Sequence, residues 1–235
     1  MKAHDPTDAA AAFAEFGRIK LGETDLDGVL SRVVALAERT LPGAAQVSIT
    51  LLRERGAATA AHTGAVALRL DESQYERGAG PCLEAAATRT TVEVPDTAHD
   101  DRWDGWGPEA ARAGMGSVLS LSLPIGEAVN GALNVYSDVP RVFGPATVAL
   151  AQTFVRYAAV ALANAHLYDA TADLARHLQA AMESRAVIEQ AKGIIMGERR
   201  CTADEAFAIL TRVSQDTNRK LRDVAAALVE RTQRG

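Results

Sequence analysis

Apolar residues in this chain recur with two different periods, and the places where the period changes divide it. Over residues 25–41 the apolar positions Leu26, Val29, Leu30, Val33, Val34 and Leu36-Ala37 repeat at helical spacing, and Pro42-Gly43 ends the run. From Gln46 to Arg53 the pattern switches to alternation, with Val47, Ile49 and Leu51 on one side, which predicts a strand. Residues 57–62 are placed to pair with it across the turn at Arg55-Gly56. Gly78-Ala79-Gly80-Pro81 punctuates the chain before a short helix over 82–88. Further strands are predicted over 91–94, 117–125 and 131–136, the last two joined across Gly126 and Asn130. Strands separated by helices and irregular loops predict an α+β domain, with helices flanking a central, largely antiparallel sheet.

Beyond Pro145 the helical period takes over. Neither Gly nor Pro occurs until Gly193, so one helix can run almost unbroken. Val160, Leu167, Leu174, Ala181, Ile188 and Ile195 fall at heptad intervals, and Tyr157, Asn164, Thr171, Leu178 and Arg185 form a second seam. Sustained heptads predict a coiled coil, with Asn164 and Thr171 able to fix its register. The dimer helix is expected to make its contacts through Val160, Leu167, Leu174 and Leu178, its phase continuing into the last part of the chain.

That last part reads as three short helices. In the first, Val187, Ile188, Ala191, Ile194 and Ile195 form the apolar face, and Arg185, Glu189, Lys192, Met196 and Arg199 form the opposite, mostly basic one. The second opens at Thr202-Ala203-Asp204-Glu205, a capping-box pattern, with Ala206, Phe207, Leu210 and Val213 inward. The third opens near Asn218 and buries Leu221, Val224, Ala225, Leu228 and Val229. None can bury its stripe alone, so a three-helix unit is expected. Two details oppose local preference. Gly193 in mid-helix costs roughly 1 kcal/mol relative to Ala, which suits a close approach by a neighbouring helix or a ligand. Arg219 and Lys220 at a helix start oppose the macrodipole by roughly 0.3–1 kcal/mol each. With Asn218 they offer backbone N–H groups and positive charge together, an arrangement that suits phosphate.

Composition adds a charge asymmetry. The 235 residues are 48% hydrophobic and 23% charged, which is ordinary for a soluble globular protein of one large or two modest domains. The chain carries a net charge of −5, yet residues 185–235 hold ten Lys/Arg against seven Asp/Glu. A basic end on an acidic body is the asymmetry expected of a module that meets nucleic acid. Residues 1–14 lack an apolar core behind basic residues, so no secretory signal is expected, and no apolar run approaches the ~20 residues of a membrane span. The two cysteines, Cys82 and Cys201, lie far apart, so the expected location is the cytoplasm without a structural disulfide. His62 and His99 have no accompanying ligand spacing, so no metal site is expected.

The residues of the end segment carry a resemblance. Ser184-Arg185, then Ile188-Glu189-Gln190-Ala191-Lys192-Gly193-Ile194-Ile195-Met196, is similar to the first helix of the ANTAR domain. Ala206-Phe207-Ala208-Ile209-Leu210, Ser214 and Asn218-Arg219-Lys220-Leu221-Arg222-Asp223-Val224-Ala225 continue it in order. The resemblance implies an RNA-binding output module of transcription antitermination regulators, which recognises paired hairpin loops as a dimer. On this reading the RNA-binding residues are Arg185, Ala191, Lys192, Gly193, Met196, Arg212, Ser214, Asn218, Arg219 and Lys220.

Upstream, Glu76-Arg77-Gly78-Ala79-Gly80-Pro81-Cys82-Leu83-Glu84-Ala85, Val92-Glu93-Val94-Pro95-Asp96 and Arg102-Trp103 resemble a GAF domain. Gly116-Ser117-Val118-Leu119-Ser120, Leu123-Pro124-Ile125, Gly131-Ala132-Leu133-Asn134-Val135-Tyr136-Ser137 and Val160-Ala161-Leu162-Ala163-Asn164-Ala165 continue it. It implies a sensor domain of a kind that binds cyclic nucleotides, haem, bilins, small metabolites or nothing, so a small-molecule ligand is one option, with Cys82, Trp103 and Tyr136 as pocket candidates. The cyclic-nucleotide pattern is absent, and no cofactor is named. The resulting plan is an N-terminal segment 1–23, a GAF sensor 24–165, a connecting helix 145–183 and an ANTAR unit 184–235. The implied function is non-catalytic, with no membrane partner. Two rivals stand beside it: a DNA-binding regulator reading with the last helix, and a GAF-type redox enzyme with Cys82 as nucleophile.

Overall fold

The computed structural model describes residues 6–19, 24–53, 56–125 and 130–234. The chain divides into two compact units, Met1–Asp169 and Ala170–Gly235. In chain order the elements are α1 (Pro6–Phe16), α2 (Leu26–Thr40), β1 (Gln46–Arg53), β2 (Gly56–His62), α3 (Ala65–Arg77), α4 (Pro81–Thr88) and β3 (Thr91–Val94). A 3-10 turn (Thr97–His99) leads to α5 (Trp106–Arg112), β4 (Ser117–Pro124) and β5 (Asn130–Ser137). Then come α6 (Pro145–Arg199), α7 (Ala203–Thr217) and α8 (Leu221–Arg234).

Five strands form one antiparallel sheet in the order β2-β1-β5-β4-β3. Side chains alternate across it, so each strand feeds two cores. One face presents Val47, Ile49, Leu51, Leu119, Leu121, Leu133 and Val135 to α1, α2 and the first part of α6, where Phe16, Leu30, Val33, Phe154 and Leu162 meet them. The other face lies under α3, α4 and α5 and packs Val92, Val94, Val118 and Tyr136 with Leu70, Cys82 and Trp106. The Asp25 side chain caps α2 by accepting the Gly28 N–H at 2.9 Å, and Asp169 Oδ2 accepts the Leu26 N–H at 3.0 Å.

All five expected strands are present, within a residue of the expected ends. The expected turns at Arg55 and at Gly126 lie outside the described residues. Helices α1, α3 and α5 had no counterpart in the hydrophobic pattern. α6 is also the one described helix long and apolar enough, by length and composition alone, to cross a membrane. In its first part Ala151, Phe154, Val155, Ala158 and Leu162 pack into the sheet core, while Tyr157 and Val160 between them are half-exposed or more.

The second unit packs the end of α6 with α7 and α8. Ala191, Ile195, Ala206, Leu210, Val224 and Ala225 are its buried centre, and Val187, Ile188, Ile209, Leu221, Leu228 and Val229 pack around them half-buried.

Candidate nucleic-acid interface and sensor core

Two tight connections set where the cations of the helical unit stand. At the first, α6 ends on Arg200 in the left-handed region (φ 53°), and its N–H donates to the Met196 carbonyl at 2.9 Å. α7 then opens with the expected capping box: the Glu205 N–H donates to Thr202 Oγ1 at 3.3 Å, and the Thr202 N–H to Glu205 Oε2 at 2.8 Å. At the second, Asn218 is left-handed (φ 51°), its N–H donates to the Gln215 carbonyl, and the Arg219 N–H to the Ser214 carbonyl at 3.1 Å. This pair of bonds is a Schellman ending with Asn in the position where glycine is commonest. Ser214 Oγ donates to the Arg219 carbonyl at 2.6 Å and locks the turn.

The third helix therefore begins later than the sequence suggested. Asn218 closes α7 instead of opening α8. Lys220 precedes α8, and its carbonyl accepts the Asp223 and Val224 N–H groups. Asn218, Arg219 and Lys220 are exposed together on this turn, as are Arg185, Gly193, Met196 and Arg212 on their helices. Ser214 is half-buried and acts as the turn's tie. Ala191 is fully buried between Ile195, Ala206 and Leu210, so the expectation that it touches RNA is corrected: it is core. Lys192 does not stand opposite the apolar stripe. It sits on its flank, one turn from Ile188 and Ile195, with a side chain 16% exposed and its ammonium 2.9 Å from Glu189. Phe207 and Val213, expected inward, are 43% and 42% exposed. Among the described residues nothing beyond its chain neighbours and its own helix backbone lies within 4 Å of a Cβ placed on Gly193, so no described helix accounts for that glycine.

Of the ten cations from 185 onward, Lys192, Arg222 and Arg234 have carboxylate partners. Among the described residues no ion pair holds Arg185, Arg199, Arg200, Arg212, Arg219, Lys220 or Arg231. Three of these, Arg199, Arg219 and Arg231, border a groove of about 400 Å³ between α6, α7 and α8. Its walls are Ile195, Ile209, Leu210, Val213, Val224 and Leu228, and Glu198 is the single carboxylate at its edge. Arg231 escaped the sequence reading because it lies beyond the matched motif, and the groove because only folding converges three helices on it.

The connecting helix leaves Val160, Leu167, Leu174 and Leu178 between 57% and 67% exposed in the single chain, with Met182 beside them. The seam does not continue as a surface: Ile195 is buried and Ile188 half-buried inside the three-helix unit. The expected unbroken phase is corrected accordingly, because those two positions are already used within the chain.

In the sensor unit the three pocket candidates are packed into the core. Cys82 and Tyr136 are fully buried and Trp103 nearly so. Trp103 Nε1 donates to Glu84 Oε2 at 2.9 Å, its ring meets Trp106 edge-on at 6.0 Å, and the Arg102 guanidinium lies 4.3 Å over it. Around Cys82 and Tyr136 runs a buried polar network centred on Asp71. Tyr136 Oη donates to Asp71 Oδ1 at 2.6 Å, Asn134 Nδ2 to the same oxygen at 3.3 Å, and Thr59 Oγ1 to Oδ2 at 2.9 Å. The Tyr75 hydroxyl is 2.8 Å from those of both Thr50 and Thr59. Gln74 Oε1 accepts the Cys82 N–H at 2.8 Å, and Gly80 (φ 155°) lets the chain close there, since a Cβ would stand 2.3 Å from the Gln74 side chain.

Burial pushes the Asp71 carboxyl up to about 6, outweighing the hydroxyl bonds that favour its charged form. Burial, with the Asp71 charge adding to it, pushes the Cys82 thiol far up, so the nucleophilic thiolate is withheld at neutral pH. No group of three His, Cys, Asp or Glu residues placed to hold a metal occurs among the described residues.

A profile of the GAF domain matches residues 23–163, and one of the ANTAR domain matches residues 176–229. A search of curated proteins finds no match. Among solved structures the chain is similar to free methionine-R-sulfoxide reductase from Neisseria meningitidis in complex with its substrate, at 15% identity and TM-score 0.54, covering 72% of this chain and 96% of that one. It is similar to fRMsr of Staphylococcus aureus in its reduced form at 17% identity and TM-score 0.53, covering 69% and 99%. A GAF domain from a phosphoenolpyruvate-protein phosphotransferase of Coxiella burnetii matches at 16% identity and TM-score 0.52, covering 70% and 98%. At such identities these likenesses speak for the fold alone, and all three are explained by the five-stranded sheet with its flanking helices. The two domain profiles fall in tandem on this one chain, which belongs to the GAF–ANTAR two-domain regulators.

Proposed function

We propose that this chain is a sensor-gated transcription antitermination regulator, working as a homodimer in the cytoplasm, whose ANTAR unit binds RNA carrying two adjacent hairpin loops. The observation that carries this reading is the set of exposed cations without carboxylate partners among the described residues, Arg219 and Lys220 foremost on their locked turn. Arg185, Arg212, Asn218 and the Lys192–Gly193–Met196 strip complete the contact set. Hairpin loops are the fitting target because their unstacked bases are within reach of side chains, which the deep major groove of an RNA duplex is not. The plan of a sensor over 24–165, a connecting helix over 145–183 and an RNA unit over 184–235 is retained.

Dimerisation follows from the exposed leucines of α6, which a second copy covers. A small molecule entering the sensor core displaces part of the Asp71 network and shifts the helix between two packings. It does so only as far as it binds one of them more tightly. Gripped hairpins prevent a terminator from forming or sequester a ribosome site. Cys82 takes no catalytic part: it is buried, and burial keeps its thiol protonated.

Titration of the full chain with an RNA of two adjacent hairpins, each hairpin alone, and duplex DNA tests this. Linked sites raise the effective concentration, so the paired RNA is expected to bind on the order of 10²-fold more tightly than either hairpin. Equal or tighter binding of duplex DNA overturns the reading in favour of a DNA regulator.

A further inference from the structure

We infer that the groove between α6, α7 and α8 receives one unstacked nucleotide of the bound loop, its base against the apolar walls and its phosphate on Arg199, Arg219 and Arg231; this rests on the RNA reading above. The three arginines come from three places in the chain: the last turn of α6, the α7–α8 turn and the last turn of α8. A solvated charge run would place them along one helix, whereas here the tertiary fold gathers them around apolar surface. They are also available. No ion pair holds them among the described residues, Glu230 turns to Arg234 instead of to its neighbour Arg231, and Arg219 reaches only the Asp223 carbonyl, at 3.5 Å.

The occupant must bring flat apolar surface and negative charge together. An apolar helix of a second copy would bury three guanidinium groups without partners, a costly desolvation. A nucleotide satisfies both demands, since arginine grips phosphate bidentately and apolar walls cover a base face. About 400 Å³ is near the lower end of small-ligand clefts, roughly 300–1,000 Å³. The edge of the groove adds a preference. The Glu198 carboxylate accepts hydrogen bonds, so it favours a base with an exocyclic amino group over uracil, whose one ring N–H lies between two carbonyl oxygens that repel a carboxylate.

The probe is an RNA selected on the full chain from a pool of two adjacent hairpins with randomised loops. Each loop nucleotide is then replaced by an abasic one, and separately by uridine. One position per loop is expected to lose at least tenfold in affinity on either replacement. Val213→Asp, at a half-exposed wall position that the fold does not need buried, loses at least tenfold itself and then feels the abasic change less than twofold, because both disrupt the same base-to-wall packing. Arg231→Gln loses affinity and flattens the salt dependence without changing the fold. If both variants bind the selected RNA within twofold of the parent, the groove assignment is overturned while RNA binding stands. A polyglutamate peptide held by the parent and released by both variants, with RNA binding intact, overturns it in favour of an acidic protein partner. If no RNA is selected at all, the underlying RNA reading falls, and this one with it.

Discussion

The sensor unit and the ANTAR unit treat their polar groups in opposite ways. In the sensor, Asp71 and Gln74 of α3 and Asn134 and Tyr136 of β5 are buried between helix and sheet and tied to one another. In the ANTAR unit, most of the basic residues stand exposed on the surface, and seven of the ten have no ion pair among the described residues. A buried hydrogen-bonded network rigidifies and specifies a core, even though Asn134 Oδ1 finds no partner among the described residues. Exposed cations without partners contribute little to folding and are free to meet an outside partner. The difference teaches that mutations in the first region should be read as stability and those in the second as binding. The exposed leucines of α6 follow the second pattern in apolar form.

The largest effect expected is on assembly. Leu174→Asp with Leu178→Asp places charges in the exposed seam, where an unpaired buried charge costs several kcal/mol in a dimer and almost nothing in a monomer. Sedimentation should show a folded monomer, and an intact dimer would remove α6 from the interface.

Asp71 sharpens the other side of the comparison. Its carboxyl is raised in the folded state from an ordinary 3.8 to about 6, so the folded protein binds that proton more tightly than the unfolded chain. Stability from this group is therefore full below about pH 4 and declines as pH rises to about 6, by ~3 kcal/mol at roughly 1.4 kcal/mol per unit. Urea melts of Asp71→Asn should lack that decline and should be at least as stable as the parent at pH 7. If parent and variant keep parallel pH profiles, Asp71 is ionised in the fold. A smaller change is expected at the capping box, where Thr202→Ala should cost about 1 kcal/mol in the ANTAR unit, read from its melt.

The same contrast explains what was legible beforehand. Strands β1 and β4 were readable because Val47, Ile49, Leu51 and Leu119, Leu121, Leu123 alternate into an apolar core. Helix α3 was not, because its inward positions include Asp71, Ser73 and Gln74, and a helix that buries polar residues erases its own hydrophobic stripe. The polar network was invisible for that reason. In the ANTAR unit the Thr202/Glu205 capping box was legible because its bonds are local in sequence. The roles of Ala191 and Lys192 were not, because a resemblance carries a residue's position along the chain without its burial. Asn218 reads as a helix start in sequence because asparagine favours both helix caps and left-handed turns, and only the hydrogen bonds of the folded turn decide between them.

Everything proposed for the helical unit requires the cations of the α7–α8 turn to serve binding and not folding. The deciding measurement is the salt dependence of RNA affinity for the parent, Arg219→Ala and Lys220→Ala. Both variants should unfold within about 0.5 kcal/mol of the parent, as surface changes do. Each should bind the two-hairpin RNA more weakly, with a log–log salt slope shallower by about 0.7–0.9 because one phosphate is no longer neutralised. Parent-like affinity and slope in both variants would contradict this, and place RNA recognition elsewhere on the chain.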